Sequence, residues 1–148
     1  MKTKKDNSLK HVKEYFKGIQ NISISININE INSLAKELFL LRKKKGRLFF
    51  LGVGGSAGNS SHAVNDFRKI CEIETYTPTD NVSEFSARIN DDGWDNSFKN
   101  WLKISKLSKK DAIFIFSVGG GNKERSVSVN LIHAIDYAKK NKFEYSTS

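Results

Sequence analysis

The feature that most constrains the fold is a glycine-rich turn after a short apolar run. Residues 48–51 are apolar, and three glycines follow at once, at Gly52, Gly54 and Gly55. Ser56 then opens a segment whose apolar residues recur at helical spacing, at Ala63, Phe67 and Ile70. A strand, a glycine turn and a helix are therefore predicted. Backbone N–H groups of such a turn and the first turn of the helix favour an anion, and phosphate is the expected ligand.

A second unit of the same design is predicted further along the chain. Residues 112–116 form a continuous apolar run, typical of a buried strand, and lead into the turn 117–122, Ser-Val-Gly-Gly-Gly-Asn. A helix is predicted next, from the spacing of Val127, Leu131, Ile132, Ile135 and Ala138. Alternating strands and helices predict a parallel sheet that binds ligands at the carboxyl ends of its strands. Ser56 and Ser117 are therefore expected on the same rim.

Expectations for the other segments rest on periodicity and turn chemistry. Residues 22–28 alternate isoleucine with serine or asparagine, which predicts a strand, although Asn27 and Asn29 are also good helix caps. Helices are predicted at 8–19, from Asn29 into the basic run 42–45, at 82–89 and from about Asp95, with a weak strand at 73–76 and turns at 77–81 and 90–93. Two strong strands and one weak one leave an open sheet edge, and residues 141–148 have room only to begin another strand.

Composition excludes several classes of protein. At 148 residues and 38% hydrophobic content, one domain with a real core is expected. The net charge of +9 invites a nucleic-acid role, but the basic residues lie in separate stretches without a DNA-reading motif, so no nucleic-acid partner is expected. The single cysteine, Cys71, predicts a reducing compartment. Neither a signal peptide nor a membrane span is predicted, so a soluble, cytoplasmic protein is expected.

Other functions fit single motifs. The spacing from Gly52 to Ala57 matches the dinucleotide pattern G-x-G-x-x-A, with Glu72 or Glu74 at the distance of a ribose ligand. Residues 54–58 match the nucleophile elbow G-x-S-x-G, which needs a later acid and then a histidine. Beyond His62 the only histidine is His133, which falls inside a predicted helix. A P-loop is excluded, because no Gly-Lys-Ser/Thr follows the turn.

His62 and Asp66 are four residues apart and therefore share one face of the predicted helix. Two interpretations are open. The pair is either a local ion pair on a solvated face or a carboxylate base with a histidine beside it, within reach of a phosphate-anchored substrate.

Several motifs occur in a fixed order along the chain, namely the first glycine turn, His62, Asp66, Thr79-Asp-Asn81, Asn90-Asp-Asp-Gly-Trp94 and Ser117-Val-Gly-Gly-Gly121. This ordered set resembles the sugar isomerase (SIS) domain family, and within it the phosphoheptose (sedoheptulose 7-phosphate) isomerases. The resemblance covers about residues 30–140. It implies an α/β fold, a three-layer flavodoxin-like sandwich with a parallel sheet, preceded by a helical N-terminal arm. The arm would be residues 1–28 and the SIS domain residues 29–148.

The resemblance also implies an activity, the isomerisation of a ketose phosphate and an aldose phosphate through an enediol, in a homotetramer or dimer. Asp66 would move the proton and His62 would assist or bind a zinc ion, Asp80 or Asn81 would contact sugar hydroxyls, and the phosphate would lie at Gly54, Gly55, Ser56, Ser117, Gly119 and Gly120. A non-catalytic module that binds a phosphosugar or sugar nucleotide is the alternative.

Several departures from the family pattern bear on activity. Asp66 replaces a longer glutamate, Val53 replaces an asparagine, and Gly119 replaces a serine for which Ser126 or Ser128 would substitute. The C-terminal part of the family domain, which carries a further histidine and glutamine of the active site, is expected to be missing.

Overall fold

A computed structural model describes residues 3–141 and 144–147, and the chain divides into two compact units, Met1–Glu37 and Leu38–Ser148. The helices and strands in chain order are α1 (Thr3–Ser25), α2 (Ile28–Lys43), β1 (Leu48–Gly52), α3 (Gly55–Lys69), β2 (Thr75–Tyr76), α4 (Val82–Asp92), α5 (Ser97–Ile104), β3 (Ala112–Phe116), α6 (Val129–Lys140) and β4 (Glu144–Thr147). Short 3₁₀ turns at Pro78–Asp80 and Trp94–Asn96 flank α4.

The second unit is a three-layer sandwich around a parallel sheet of strand order β2-β1-β3-β4. Successive residues of a strand point to opposite faces, so Phe49 and Phe50 enter different layers. Phe49 belongs to a buried cluster with side chains of α5 and α6, including Trp101 and Leu131. Phe50 packs against Phe67 of α3, with ring centroids 5.1 Å apart. The predicted fold class, a flavodoxin-like α/β sandwich with a parallel sheet, is confirmed.

The first unit consists of α1 and the larger part of α2. Several large apolar side chains of α1 are exposed over at least 46% of their surface, namely Leu9, Val12, Tyr15, Phe16, Ile19 and Ile22. A helix is therefore present where residues 8–19 predict one, but it extends from Thr3 to Ser25.

The predicted strand at 22–28 is wrong. The serine hydroxyls that the alternation assigns to a solvent face instead bond within the helix, from Ser23 to the carbonyl of Gln20 and from Ser25 to that of Ile22. Asn27 then separates the helices and caps α2, since its side chain accepts a hydrogen bond from the Asn29 amide at 3.0 Å. Local capping thus overrides the period-two pattern.

Three other boundaries differ from the sequence prediction. The turn predicted at 90–93 is wrong except at its end, because α4 continues to Asp92 and Gly93 closes it at a φ of 76°. The last predicted helix begins at Val129 instead of near Val127, because Val127 pairs with Asn122 in an isolated antiparallel bridge. Ile70 lies beyond the end of α3 and is 72% exposed, so it is not part of the buried face.

Arg47 and Asp111 join the turns that precede β1 and β3. Both oxygens of the Asp111 carboxylate accept hydrogen bonds from the Arg47 guanidinium, at 2.8 and 3.2 Å, and one also accepts from the Arg47 amide. The guanidinium donates further to the carbonyls of Ser105 and Lys106. Burial alone would raise the pKa of the Asp111 carboxyl, but the hydrogen bonds from Arg47 and Ser108 outweigh it and lower that pKa.

Replacing Asp111 by Asn should lower the free energy of unfolding by about 2 kcal/mol near neutral pH, since hydrogen bonds to a buried charged group are lost. The folded-state pKa is depressed, so this stabilisation is present above the unfolded value of about 3.9 and is lost as the pH falls through the folded pKa. The difference between the two proteins should therefore shrink in acid. Urea denaturation at several pH values measures it, with the exposed Asp95→Asn as control. A constant difference at all pH values would contradict this account.

Gly52 allows the end of β1 to lie directly against the first turn of α3. A Cβ atom at this position would lie 2.4 Å from the carbonyl oxygen of Ser56 and 2.9 Å from the amide of Ala57. Both neighbours are backbone atoms, so neither can move aside without shifting the helix. Gly52 is thus required by the approach of the helix that carries the first glycine turn.

Gly52→Ala should destabilise the protein by about 2 kcal/mol, the usual cost of forcing an extra atom into a packed contact. Gly58 is the matched control, because it lies in the same helix and nothing beyond the helix's own backbone comes within 4 Å of the position that a Cβ would occupy. Gly58→Ala should instead stabilise by up to about 1 kcal/mol through helix propensity. Equal effects of the two substitutions on the urea midpoint would refute the steric explanation.

Candidate active site

A cleft of about 510 Å³ opens at the carboxyl ends of β1 and β3. In-register pairing places Gly52 opposite Phe116, so the two glycine turns leave the sheet side by side. The cleft is lined by Val53, Gly55, Ser56, Asn59, Phe116, Ser117, Val118, Gly119, Val127, Ser128 and Leu131. The expectation that Ser56 and Ser117 share a rim is confirmed, and none of the lining residues carries a charge.

Neutral hydrogen-bond donors converge on this cleft. The Ser56 and Ser128 hydroxyls have no partner among the residues that the structure describes, and Ser128 precedes α6 without capping it. Within residues 3–141, the amides of Gly54 and Gly55 donate to no acceptor. Two helices, α3 and α6, begin at the cleft, and each contributes a partial positive charge there. The arrangement can hold an anion by dipoles and hydroxyl groups alone.

The backbone of the two turns explains their glycines. Gly54 and Gly120 have positive φ angles of 60° and 67°, which other residues adopt at a cost. The Gly120 amide donates to the Ser117 hydroxyl at 3.1 Å, which leaves that hydroxyl's own proton available. Of the predicted phosphate residues, Gly55, Ser56, Ser117 and Gly119 line the cleft, while Gly54 and Gly120 shape its turns without lining it.

One face of α3 connects the cleft to the predicted catalytic pair. Gly55, Asn59, His62 and Asp66 follow one another at spacings of four, three and four, so they lie along a single stripe of the helix. Asp66 lies about 10 Å beyond Asn59 along the helix axis, at about 1.5 Å per residue. The His62 Nε2 atom is 3.2 Å from Asp66 Oδ2, with side-chain exposures of 79% and 43%. The pair is thus formed, but outside the cleft.

Asp80 and Asn81, the residues predicted to contact sugar hydroxyls, do not line the cleft. The Asp80 carboxylate accepts a hydrogen bond from the Ser61 hydroxyl at 2.6 Å, which ties the turn after β2 to α3. The Asn81 side chain caps α4 by accepting from the Glu84 amide at 3.1 Å. In this chain both side chains have structural partners.

The structure does not bring together the residues that a dinucleotide site or a hydrolase site would need. A dinucleotide site needs its acid beyond the carboxyl end of the second strand. Glu72 and Glu74 instead precede β2, at the opposite end of the sheet, where Glu72 pairs with Arg42. A hydrolase needs a histidine beside Ser56, but His133 lies on α6 with its Nδ1 atom 3.3 Å from the side chain of Asn96.

A complete metal site is not formed by the part of the chain that the structure describes, since no three His, Cys, Asp or Glu side chains come together. His62 and Asp66 supply two suitable ligands, whereas protein zinc sites use at least three. Among the same residues, no helix is long and apolar enough to cross a bilayer.

Sequence reasoning missed Asn59 and Val127 as cleft residues. Asn59 had a usable signal, because it lies four residues after Gly55 and seven before Asp66 and so extends the same helical face. Val127 had none, because its place in the cleft depends on the Asn122 bridge. Of the two candidates to replace the serine absent at 119, Ser128 lines the cleft and Ser126 does not.

No family model and no curated protein sequence matches the chain. Solved structures do. Phosphoheptose isomerase GmhA from Neisseria gonorrhoeae superposes with a TM-score of 0.77 at 23% identity, over 98% of this chain and 74% of that one. A phosphoheptose isomerase from Francisella tularensis gives a TM-score of 0.79 at 19% identity, over 95% and 74%. The chain therefore has the fold of the phosphoheptose isomerases, as the SIS resemblance implied.

Proposed function

We propose that the protein is a phosphosugar isomerase that converts a ketose phosphate of the sedoheptulose 7-phosphate type into the aldose phosphate through an enediol. The observation that carries the proposal is the continuity of one surface. A neutral anion cradle between Ser56 and Ser117 leads along one face of α3 to the carboxylate of Asp66. The likeness of fold to phosphoheptose isomerases supports the same reaction class.

The length of this surface favours a long sugar phosphate. Extended chains advance about 1.2 Å per bond, since a residue of three backbone bonds spans about 3.5 Å. Seven bonds separate the phosphorus of a heptulose 7-phosphate from C2, so that carbon lies about 8 Å from the anchor. Side chains of a helix lean toward its N-terminus, which brings the Asp66 carboxylate closer to the cleft. A triose phosphate held at Ser56 would be too short.

The proposed chemistry needs one base and one proton donor. The Asp66 carboxylate takes a proton from C1 of the ketose, and the same group returns it to C2 of the enediol, so that the carbonyl moves from C2 to C1. Over the same reaction the C2 oxygen gains a proton and the C1 hydroxyl loses one, which a second group has to carry. His62, 3.2 Å from Asp66, donates this proton when it is protonated, and it stabilises the charge that develops on oxygen.

A second candidate function is phosphosugar binding without turnover. The exposure of the Asp66 and His62 side chains, 43% and 79%, favours it, because general bases act best where water is excluded. A second copy of the chain covering this face of α3 would restore that exclusion, so the homo-oligomer that the family resemblance implies belongs to the catalytic proposal.

Ser56→Ala and Ser117→Ala should each weaken binding of sedoheptulose 7-phosphate by at least about tenfold, because each removes a hydrogen bond to a charged group. Isothermal titration calorimetry measures the affinity, with inorganic phosphate as a second probe that reports the anchor alone. Ser83→Ala on α4 is the control and should bind normally. If both cleft variants bound with unchanged affinity, the phosphate would have to bind outside this cleft.

Asp66→Asn should abolish isomerisation while leaving the affinity for sedoheptulose 7-phosphate within about twofold, because the amide keeps the shape but cannot accept the proton. Deuterium entry at C1 of the ketose or C2 of the aldose in deuterated water, followed by NMR, reports enediol formation directly. The exposed Asp95→Asn is the matched control and should keep exchanging.

The two candidate functions separate in the same experiment. Exchange by the unmodified chain that is lost in Asp66→Asn supports the isomerase. Saturable binding without any exchange by the unmodified chain supports the binding module, and exchange that persists in Asp66→Asn assigns the base elsewhere.

A further inference from the structure

The positive charge of the protein is concentrated at the end of the sheet opposite the cleft. Four segments meet there because each lies at the amino end of a strand or the last turn of a helix, namely 42–47, 69–74, 103–111 and 139–141. They hold 12 of the 25 Lys and Arg residues but only 3 of the 16 Asp and Glu residues. The rest of the chain has 13 of each sign, so the whole net charge of +9 belongs to this surface. We name it the basic end.

Contacts across the basic end hold three of these segments together. Arg42 pairs with Glu72 at 2.6 Å, which joins the end of α2 to the turn before β2. Arg47 and Asp111 join the turns before β1 and β3 at 2.8 Å. Neighbouring strands lie about 4.8 Å apart, so the lysines of adjacent turns form one patch. Stretches that are distant in sequence become a single surface.

Several exposed lysines of this surface pair with no carboxylate of the described residues. The carboxylates of Glu72 and Asp111 are occupied by arginines, and that of Glu74 accepts from the Tyr76 hydroxyl. Within the described part of the chain no carboxylate pairs with four exposed lysines of the basic end that lie beyond the helix ends, Lys45, Lys106, Lys109 and Lys110. Favourable interaction with helix C-termini accounts for basic residues in the last turns, but not for these four.

Two exposed isoleucines lie among the lysines. Ile70 follows α3 and is 72% exposed, and Ile104 ends α5 and is 63% exposed. They belong to the helix layers on opposite faces of the sheet, so they flank the lysine-rich turns. A polynucleotide backbone offers nothing to an exposed isoleucine, whereas an anionic bilayer offers phosphates to the lysines and an apolar boundary to the isoleucines.

We propose that the basic end docks the protein on an anionic membrane surface, with the cleft facing away from the bilayer. The surface is separate from the proposed isomerase site, so it does not depend on that function. Binding rests on several lysines at once and therefore weakens steeply as salt screens them.

Co-sedimentation with vesicles tests the proposal. The full chain should bind vesicles of equal parts phosphatidylglycerol and phosphatidylcholine, and should not bind phosphatidylcholine alone. Replacing Lys45, Lys109 and Lys110 by Gln should lower partition by about a hundredfold. The matched control replaces Lys10, Lys13 and Lys17 of α1 by Gln, which removes the same charge elsewhere and should change partition by less than about threefold. Circular dichroism melting confirms that each variant is folded.

The isoleucines distinguish a membrane from a nucleic acid. The double substitution Ile70→Ser with Ile104→Ser should weaken vesicle binding at least about tenfold and leave any binding to duplex DNA unchanged. Equal losses in the two lysine variants would overturn the proposal, because binding would then follow net charge alone. Tight binding to DNA, with vesicle binding absent or insensitive to the isoleucines, would overturn it in favour of a polynucleotide partner.

Discussion

The parallel pairing of β1 with β3 is the constraint on which the rest of the structure depends. Leu48 lies opposite Ala112 and Gly52 opposite Phe116, so both strands begin and end together. Two turns that are far apart in sequence therefore leave the sheet at the same height and enclose one cleft. The same register brings together the turns that precede the strands, and the ion pair of Arg47 with Asp111 joins these turns. The cleft and the basic end therefore both result from the in-register pairing of β1 with β3.

In the proposed site, phosphate binding and proton transfer take place at different turns of a single helix, α3. Under the proposed function, the first turn of α3 would bind the phosphate through amides and the Ser56 hydroxyl, and its third and fourth turns carry His62 and Asp66. A helix fixes such spacing more rigidly than a loop, so the scaffold itself would select the length of the proposed substrate. Gly52 is essential to this arrangement, because it brings the start of the helix into contact with the strand end.

Much of this organisation could be predicted from sequence because it is local or strongly periodic. The apolar runs of β1 and β3 and their glycine turns predicted the sheet and the shared rim. The strand prediction for 22–28 was wrong because alternation alone does not supply a partner strand. The serine hydroxyls bond to carbonyls three residues back, which lets the helix continue. The predicted start of α6 was wrong because the course of the preceding loop depends on the bridge between Asn122 and Val127. The basic end could not be predicted from the sequence, since only the fold brings its segments together.

The separation of charge from the cleft has a consequence for recognition. An anion site lined by lysines would gain affinity for any anion, whereas this cleft has no charged lining residue. An anion bound there would be recognised through the positions of hydroxyls and amides. Such donors favour a group whose oxygens match them and gain little from charge alone. The lysines of the basic end lie at the other end of the sheet and would not contact a phosphate bound in the cleft. The two surfaces can thus be selected for different partners, a small phosphorylated ligand at one end and an extended anionic surface at the other.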